Sequence, residues 1–237
     1  MKPTVVAFPG TLCSPDIFKP TAVALSSTCE LHPVSWMRKP EGSPLEDRQT
    51  WSIEEIAQRE ARNIKQPVIL LGHSTGGAIA AYLAAENPDL VRGLILVNTG
   101  AHMRRHGDVK KIIQNVRDGH VDDIRAAVIT RSFASPPPDE VLAEFRRYAA
   151  SVSPQAILEA LESQRDLDLT TQLARITCPT AVVHGVLDRA RSKSDAEELA
   201  GLVPGAVVRW AQCGHTPVFE APNTVAEAVT EILARLD

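Results

Sequence analysis

Aromatic residues make up only 4% of the 237 residues, and that scarcity argues against a pocket of stacked rings built around a cation. Long hydrophobic runs are missing as well: no stretch approaches the roughly 20 apolar residues that a membrane-spanning helix needs. The opening MKPTVVAFPG has one lysine and an apolar run too short for the core of a secretion signal. Cysteine is sparse, and Cys13, Cys29, Cys178 and Cys213 show neither C-x-x-C nor zinc-like spacing. These absences lead to the expectation of a reduced, cytoplasmic protein with no metal. There is no excess of positive charge: 25 basic residues face 29 acidic ones, a formal charge of −4. Nothing in that balance attracts nucleic acid or an anionic membrane. Nor does a G-x-G-x-x-G follow the first strand-like run, so no nicotinamide site is expected and the cofactor expectation is none.

What is present reads as one globular domain. Hydrophobic residues reach 44% and charged residues 23%, and the length suffices for a single large core. Short apolar, β-branched runs recur at 4–8, 29–36, 67–71, 94–97, 180–183 and 206–210, with helical patterns between them. That alternation predicts an α/β fold with a mostly parallel six-stranded sheet and helices on both faces. Pro33 confines the second run to a sheet edge. Helices are predicted over 52–64, 76–86, 194–202 and 224–236, the first opened by the Ser52/Glu55 capping pattern.

Residues 101–176 break the alternation. Helical patterns follow one another at 108–118, 121–132, 139–149, 154–165 and 169–175, with the stiff Ser135-Pro136-Pro137-Pro138 connector among them. The expected organisation is a core formed by 1–100 and 177–237, with 101–176 inserted as a helical lid.

The chemistry centres on Gly72-His73-Ser74-Thr75-Gly76, a G-x-S-x-G directly after an apolar strand run and directly before a helix. A nucleophile on so sharp a turn strains the backbone, and flanking glycines remove side chains that would collide. The helix behind Ser74 aims its N–H groups and dipole at developing negative charge. A serine hydroxyl needs a positioned base. Of the seven histidines, His215 stands out, in a loop just after the last strand run. His184 ends a strand and is expected to pack there, and His73 is expected to buttress the turn. A carboxylate must then hold the base's tautomer. Asp188 follows the fifth strand, whereas Asp195 sits where a helix starts and a capping role suffices for it.

Taken together, these segments resemble the α/β-hydrolase superfamily in its small, lidded branch, over nearly the whole chain. PGTLCSPDIF resembles the family's oxyanion loop and GHSTGG its nucleophile elbow. HGVLD resembles the acid loop, and GHTPVFEAP the histidine loop, with Glu220 and Pro222 after His215. The resemblance implies the family's core strand order with its first two antiparallel strands missing. It also implies catalytic Ser74, Asp188 and His215, with the backbone N–H groups of Thr75 and Thr11 as oxyanion donors. Many relatives have His-Gly where this chain has Pro9-Gly10, so Leu12 is the alternative to Thr11. Cys13 lacks the context of a nucleophile and is expected to be structural.

Substrate contacts are expected from Leu12 and from Arg104 and Arg105, which stand where the fourth strand enters the insert and could attract a carboxylate or phosphate. Leu142, Phe145, Ile157 and Leu161 are apolar candidates from the insert. The function expected is hydrolysis of a small-molecule ester, lactone or thioester through an acyl-enzyme. The same scaffold can run lyase or carbon–carbon cleavage chemistry, and a silent ligand-binding relic is a third reading. The expected partner is the small acyl substrate, without nucleic acid or membrane, in a monomer or weak homodimer.

Overall fold

The computed structural model describes residues 2–38, 50–106 and 109–236. The chain begins with β1 (Thr4–Phe8), α1 (Lys19–Leu25), β2 (Glu30–Pro33), α2 (Ile53–Asn63), β3 (Val68–His73), α3 (Thr75–Glu86) and β4 (Val91–Val97). Five helices follow: α4 (Val109–Arg117), α5 (Val121–Arg131), α6 (Asp139–Ser151), α7 (Pro154–Asp166) and α8 (Thr170–Leu173). The chain then returns to the sheet through β5 (Thr180–Gly185), α9 (Lys193–Leu202), β6 (Val207–Ala211), α10 (Pro217–Glu220) and α11 (Pro222–Ala234).

The six strands form one sheet in the order β2-β1-β3-β4-β5-β6, and every neighbouring pair is parallel. All residues of β3 and β5 are buried, as continuous apolar runs covered on both faces should be. β2 is largely exposed and ends the sheet, which is where Pro33 is tolerated.

Alternation along the strands divides the core in two. Phe8, Leu70, Leu94, Leu96 and Val182 face α2 and α3 on one side. Val5, Ile69, Leu71, Val97 and Val183 face α1 and α11 on the other. α3 is buried nearly all round, because the sheet, α2 and α8 all pack against it. Its Ala-rich sequence suits that position, since small side chains let three neighbours approach at once.

The helices of the insert lie close to the expected ranges; Asp108, the expected start of the first, lies outside the described residues. The two ends of the insert meet at its base, where His102 pairs with Asp168 in an antiparallel bridge and Leu169 N donates to the Ala101 carbonyl at 2.9 Å. At its far side Phe133 and Phe145 pack with Phe219 of α10, at ring-centroid separations of 5.7 to 6.0 Å.

The sequence reading places no helix at α1 or at α10. Pro20 of α1 occupies the first helical turn, where it costs no hydrogen bond. The Ser52/Glu55 pattern forms one arm only, Glu55 N to Ser52 Oγ at 3.2 Å. A complete capping box forms instead at Ser192/Asp195.

Candidate active site

Ser74 stands between β3 and α3 with φ 53° and ψ −119°, in the left-handed region that an L-residue enters only under strain. The turn closes because its glycines bring backbone onto backbone. A Cβ on Gly76 would lie 2.0 Å from the Phe8 carbonyl oxygen, and one on Gly72 would lie 2.5 Å from the Gly76 carbonyl oxygen. No side chain fits at either place.

The strand-end loops carry a hydrogen-bonded chain. Ser74 Oγ lies 3.0 Å from His215 Nε2, and His215 Nδ1 lies 2.7 Å from Asp188 Oδ2. The Asp188 side chain is 0% exposed yet fully served: Asn98 Nδ2 donates to Oδ2 at 2.6 Å, and Ala190 N donates to Oδ1 at 2.7 Å. Burial works to raise its pKa, but the charge and hydrogen bond of His215, with the Ala190 and Asn98 donors, outweigh it and bring the carboxyl down to about 2. Asp188 is thus an anion at neutral pH. An anionic acceptor makes Nδ1 of His215 the protonated nitrogen and leaves Nε2 to accept from the Ser74 hydroxyl.

The remaining histidines separate clearly. His73 is fully buried, and its Nε2 donates to the His215 carbonyl at 2.9 Å, so it buttresses the His215 loop through the backbone. Burial and the neighbouring His215 push His73 down to about 3. His184 is buried against Trp210, and burial lowers its basicity too. Asp195 accepts from Ser192 N at 2.8 Å as part of the capping box, which accounts for it without a catalytic role.

The Pro9–Cys13 loop faces Ser74 from the end of β1. Cys13 N donates to the Gly10 carbonyl at 3.0 Å, and Leu12 takes φ 63° inside this turn. The Leu12 N–H is directed at Met37 Sδ, 3.0 Å away. Thr75 opens α3, so its N–H has no carbonyl within the helix to bond. The two threonines touch through their hydroxyls at 2.8 Å. Thr75 Oγ1 in turn donates to Gln164 Oε1 of α7 at 2.9 Å, so a chain of hydrogen bonds links the insert to the turn behind Ser74.

A cavity of about 60 Å³ lies over Ser74 and His215. Thr11, Leu12, Cys13 and Thr75 form its floor, and Val109, Ile112, Ile124, Val128 and Leu161 of the insert form its apolar roof. Of the four apolar candidates from the insert, Leu161 lines the cavity, Phe145 and Ile157 are buried in the core, and Leu142 packs half-buried against it.

Arg104 and Arg105 do not belong to this cavity. Arg104, 66% exposed, pairs with Asp168. Arg105 pairs with Glu198 at 2.9 Å and lies 3.8 Å from Asp195. Carboxylates distant in sequence neutralise both on the outer surface. Arg131 and Arg191 line the cavity instead. The sequence reading also missed Asn98, whose φ of 45° is one that asparagine tolerates better than most residues. An Asn directly after a strand run was the available signal.

A model of the Alpha/beta hydrolase family matches residues 5–228. Among curated relatives, the pimeloyl-[acyl-carrier protein] methyl ester esterase of Chromobacterium violaceum is 25% identical over 189 residues, covering 75% of this chain and 74% of that protein. The enzyme of the same name from Vibrio cholerae is 23% identical over 231 residues, covering 92% and 89%. Among solved structures, the enol-lactonase from Burkholderia xenovorans LB400 superposes with a TM-score of 0.82 at 20% identity, covering 99% of this chain and 92% of that one. With the fold, the strand order and the family match in agreement, the chain belongs to the alpha/beta hydrolase family and is an esterase-like enzyme of that fold.

Proposed function

We propose that the chain is a serine esterase that cleaves a small-molecule carboxylic ester through an acyl-enzyme on Ser74. The observation that carries this reading is the continuous chain from Ser74 Oγ through both nitrogens of His215 to Asp188. A catalytically silent relic would have no need of a strained serine, a correctly oriented imidazole and an enclosed anion together. Relatives named as methyl ester esterases support ester hydrolysis as the reaction class.

In the first half-reaction Ser74 Oγ attacks the substrate carbonyl carbon while its proton passes to His215 Nε2. The carbonyl π electrons move onto oxygen, and the N–H groups of Thr75 and Thr11 receive that oxyanion, helped by the α3 dipole. Collapse re-forms the carbonyl and expels the alkoxide, which takes the proton from His215. In the second half-reaction water attacks the acyl group as His215 removes its proton, and Ser74 regains a proton as the acid leaves. Asp188 stabilises the transient imidazolium and keeps Nδ1 protonated throughout. Residues 101–176 act as a lid that sets the acyl pocket and excludes bulk water. The apolar roof favours a short aliphatic or small cyclic group in a cavity of this size.

A panel of short-chain 4-nitrophenyl and methyl esters tests the reading. Turnover by the wild type that is lost in Ser74→Ala is the expected result. A folded wild type that turns over no ester, while cleaving a carbon–carbon bond or catalysing an elimination, would overturn it.

A further inference from the structure

Arg191 presents an unbalanced charge. Its residue is 7% exposed, it lines the cavity over Ser74, and among the described residues two acceptors meet its guanidinium. Nη1 donates to the His102 carbonyl at 2.8 Å, and Nη2 points at Met103 Sδ at 2.7 Å, a thioether and so a weak acceptor. No carboxylate among the described residues reaches ion-pair distance of it. The two acidic groups whose fields reach it, Asp195 and Asp188, are committed elsewhere, to the Ser192 cap and to His215.

No aspartate or glutamate is among the described residues that line the cavity. This holds although the chain as a whole carries a formal charge of −4. Burial of a cation without an anionic partner is strongly unfavourable, and proteins retain such a group where a ligand completes the pair. A guanidinium fork is also the donor geometry best matched to a planar carboxylate.

We propose that Arg191 is a specificity-determining residue that binds a carboxylate carried by the substrate, so that the preferred substrate is an ester that is also a free acid. The proposal rests on the esterase reading for its reaction but not for its anion site. The lining fits both requirements of such a molecule, with apolar side chains for its carbon skeleton and one buried cation for its charge. The carboxylate stands either on the acyl portion or on the alcohol portion.

Two matched pairs of esters distinguish these. Mono-(4-nitrophenyl) glutarate against its methyl ester places the charge on the acyl side; 4-acetoxybenzoate against its methyl ester places it on the leaving group. The wild type is expected to prefer the free acid in one pair by about 30-fold in kcat/KM, the scale of a lost charged hydrogen bond. Arg191→Met should bring that ratio near one, and Arg191→Lys should keep part of it. The Lys variant also guards against a mere folding defect. A wild type that prefers the neutral ester in both pairs overturns the proposal, as does a preference that survives in Arg191→Met. Should no ester turn over, calorimetric titration of glutarate and of benzoate into Ser74→Ala decides the anion site separately. Binding lost on adding Arg191→Met supports the site while the esterase reading fails, and absence of binding by either acid overturns it.

Discussion

The rings of His73 and His215 lie 5.2 Å apart between centroids, and His73 Nε2 holds the His215 carbonyl at 2.9 Å. The residue beside Ser74 thus holds the backbone of His215, tying the end of β3 to the loop after β6. This work requires a neutral His73. A second positive charge next to a transient His215 imidazolium would oppose the proton transfer of the proposed reaction.

That requirement makes the protein acid-sensitive in a defined window. The folded state keeps His73 at about 3 against an ordinary 6.5, so between these values the unfolded chain binds a proton that the folded chain refuses. Stability is therefore full above about pH 6.5 and falls as pH drops towards 3, by about 2 kcal/mol at about pH 5 from this residue alone. His184 adds to the loss in the same direction. His73→Gln retains an amide donor for the His215 carbonyl and removes the titration. Melting temperatures measured from pH 7.5 to 4.5 should fall less steeply in this variant. An unchanged slope would contradict a neutral buried His73.

Asp188 acts in a lower window. Its folded value of about 2 lies beneath the ordinary 3.8, so its stabilising contribution is present above about pH 4 and is lost as pH falls towards 2. Asp188→Asn removes the anion that keeps Nδ1 of His215 protonated. Activity should fall by on the order of 10³-fold or more while the fold survives at neutral pH. Near-normal rates in this variant would exclude the assignment.

Asn98 holds the acid in place from two sides, donating to Asp188 Oδ2 at 2.6 Å and accepting from Gly185 N at 2.9 Å. Asn98→Ala leaves the Gly185 N–H without its partner and should cost about 1–3 kcal/mol in denaturant unfolding. A residue that only filled space would leave the pH–rate profile unmoved. Loss of a donor makes the Asp188 carboxylate a stronger acceptor for Nδ1–H, so the acid limb of kcat/KM should move to higher pH.

Burial makes the cysteines poor nucleophiles. Cys13, at the cavity floor, is pushed up to about 12, with only the Gly10 backbone opposing burial. Cys213 is likewise raised to about 12 and Cys178 to about 11. Alkylation by iodoacetamide at pH 8 should be slow in the native protein and rapid in urea. Cys13→Ala should keep more than about a third of wild-type activity, since the thiol plays no part in the proposed chemistry. Loss of activity in that variant as severe as in Ser74→Ala would reopen the choice of nucleophile.

Much of this site was legible because its signals are local. The strained turn at Ser74 demands glycines at Gly72 and Gly76, and that demand is visible within five residues. Asp188 and His215 each follow a strand run, so a sheet with parallel strands brings them to the same edge. Where partners come from distant segments the reading failed. Arg104 and Arg105 are adjacent in the chain and suggest a basic site mouth, but Asp168, Glu198 and Asp195 fold against them. Arg191 reads as an ordinary loop charge in Asp188-Arg189-Ala190-Arg191, and only folding shows it buried over the serine. The contact of the Leu12 N–H with Met37, distant in sequence, was not legible either.

The central claim is that Ser74 is an activated nucleophile. Labelling by a fluorophosphonate probe, read by intact mass, tests it most directly, with wild type, Ser74→Ala and His215→Ala compared at pH 7.5. The account predicts one adduct on the wild type, none on Ser74→Ala, and labelling slowed on the order of 10³-fold in His215→Ala. An adduct that persists on Ser74→Ala, or a folded wild type that takes no label, would contradict it.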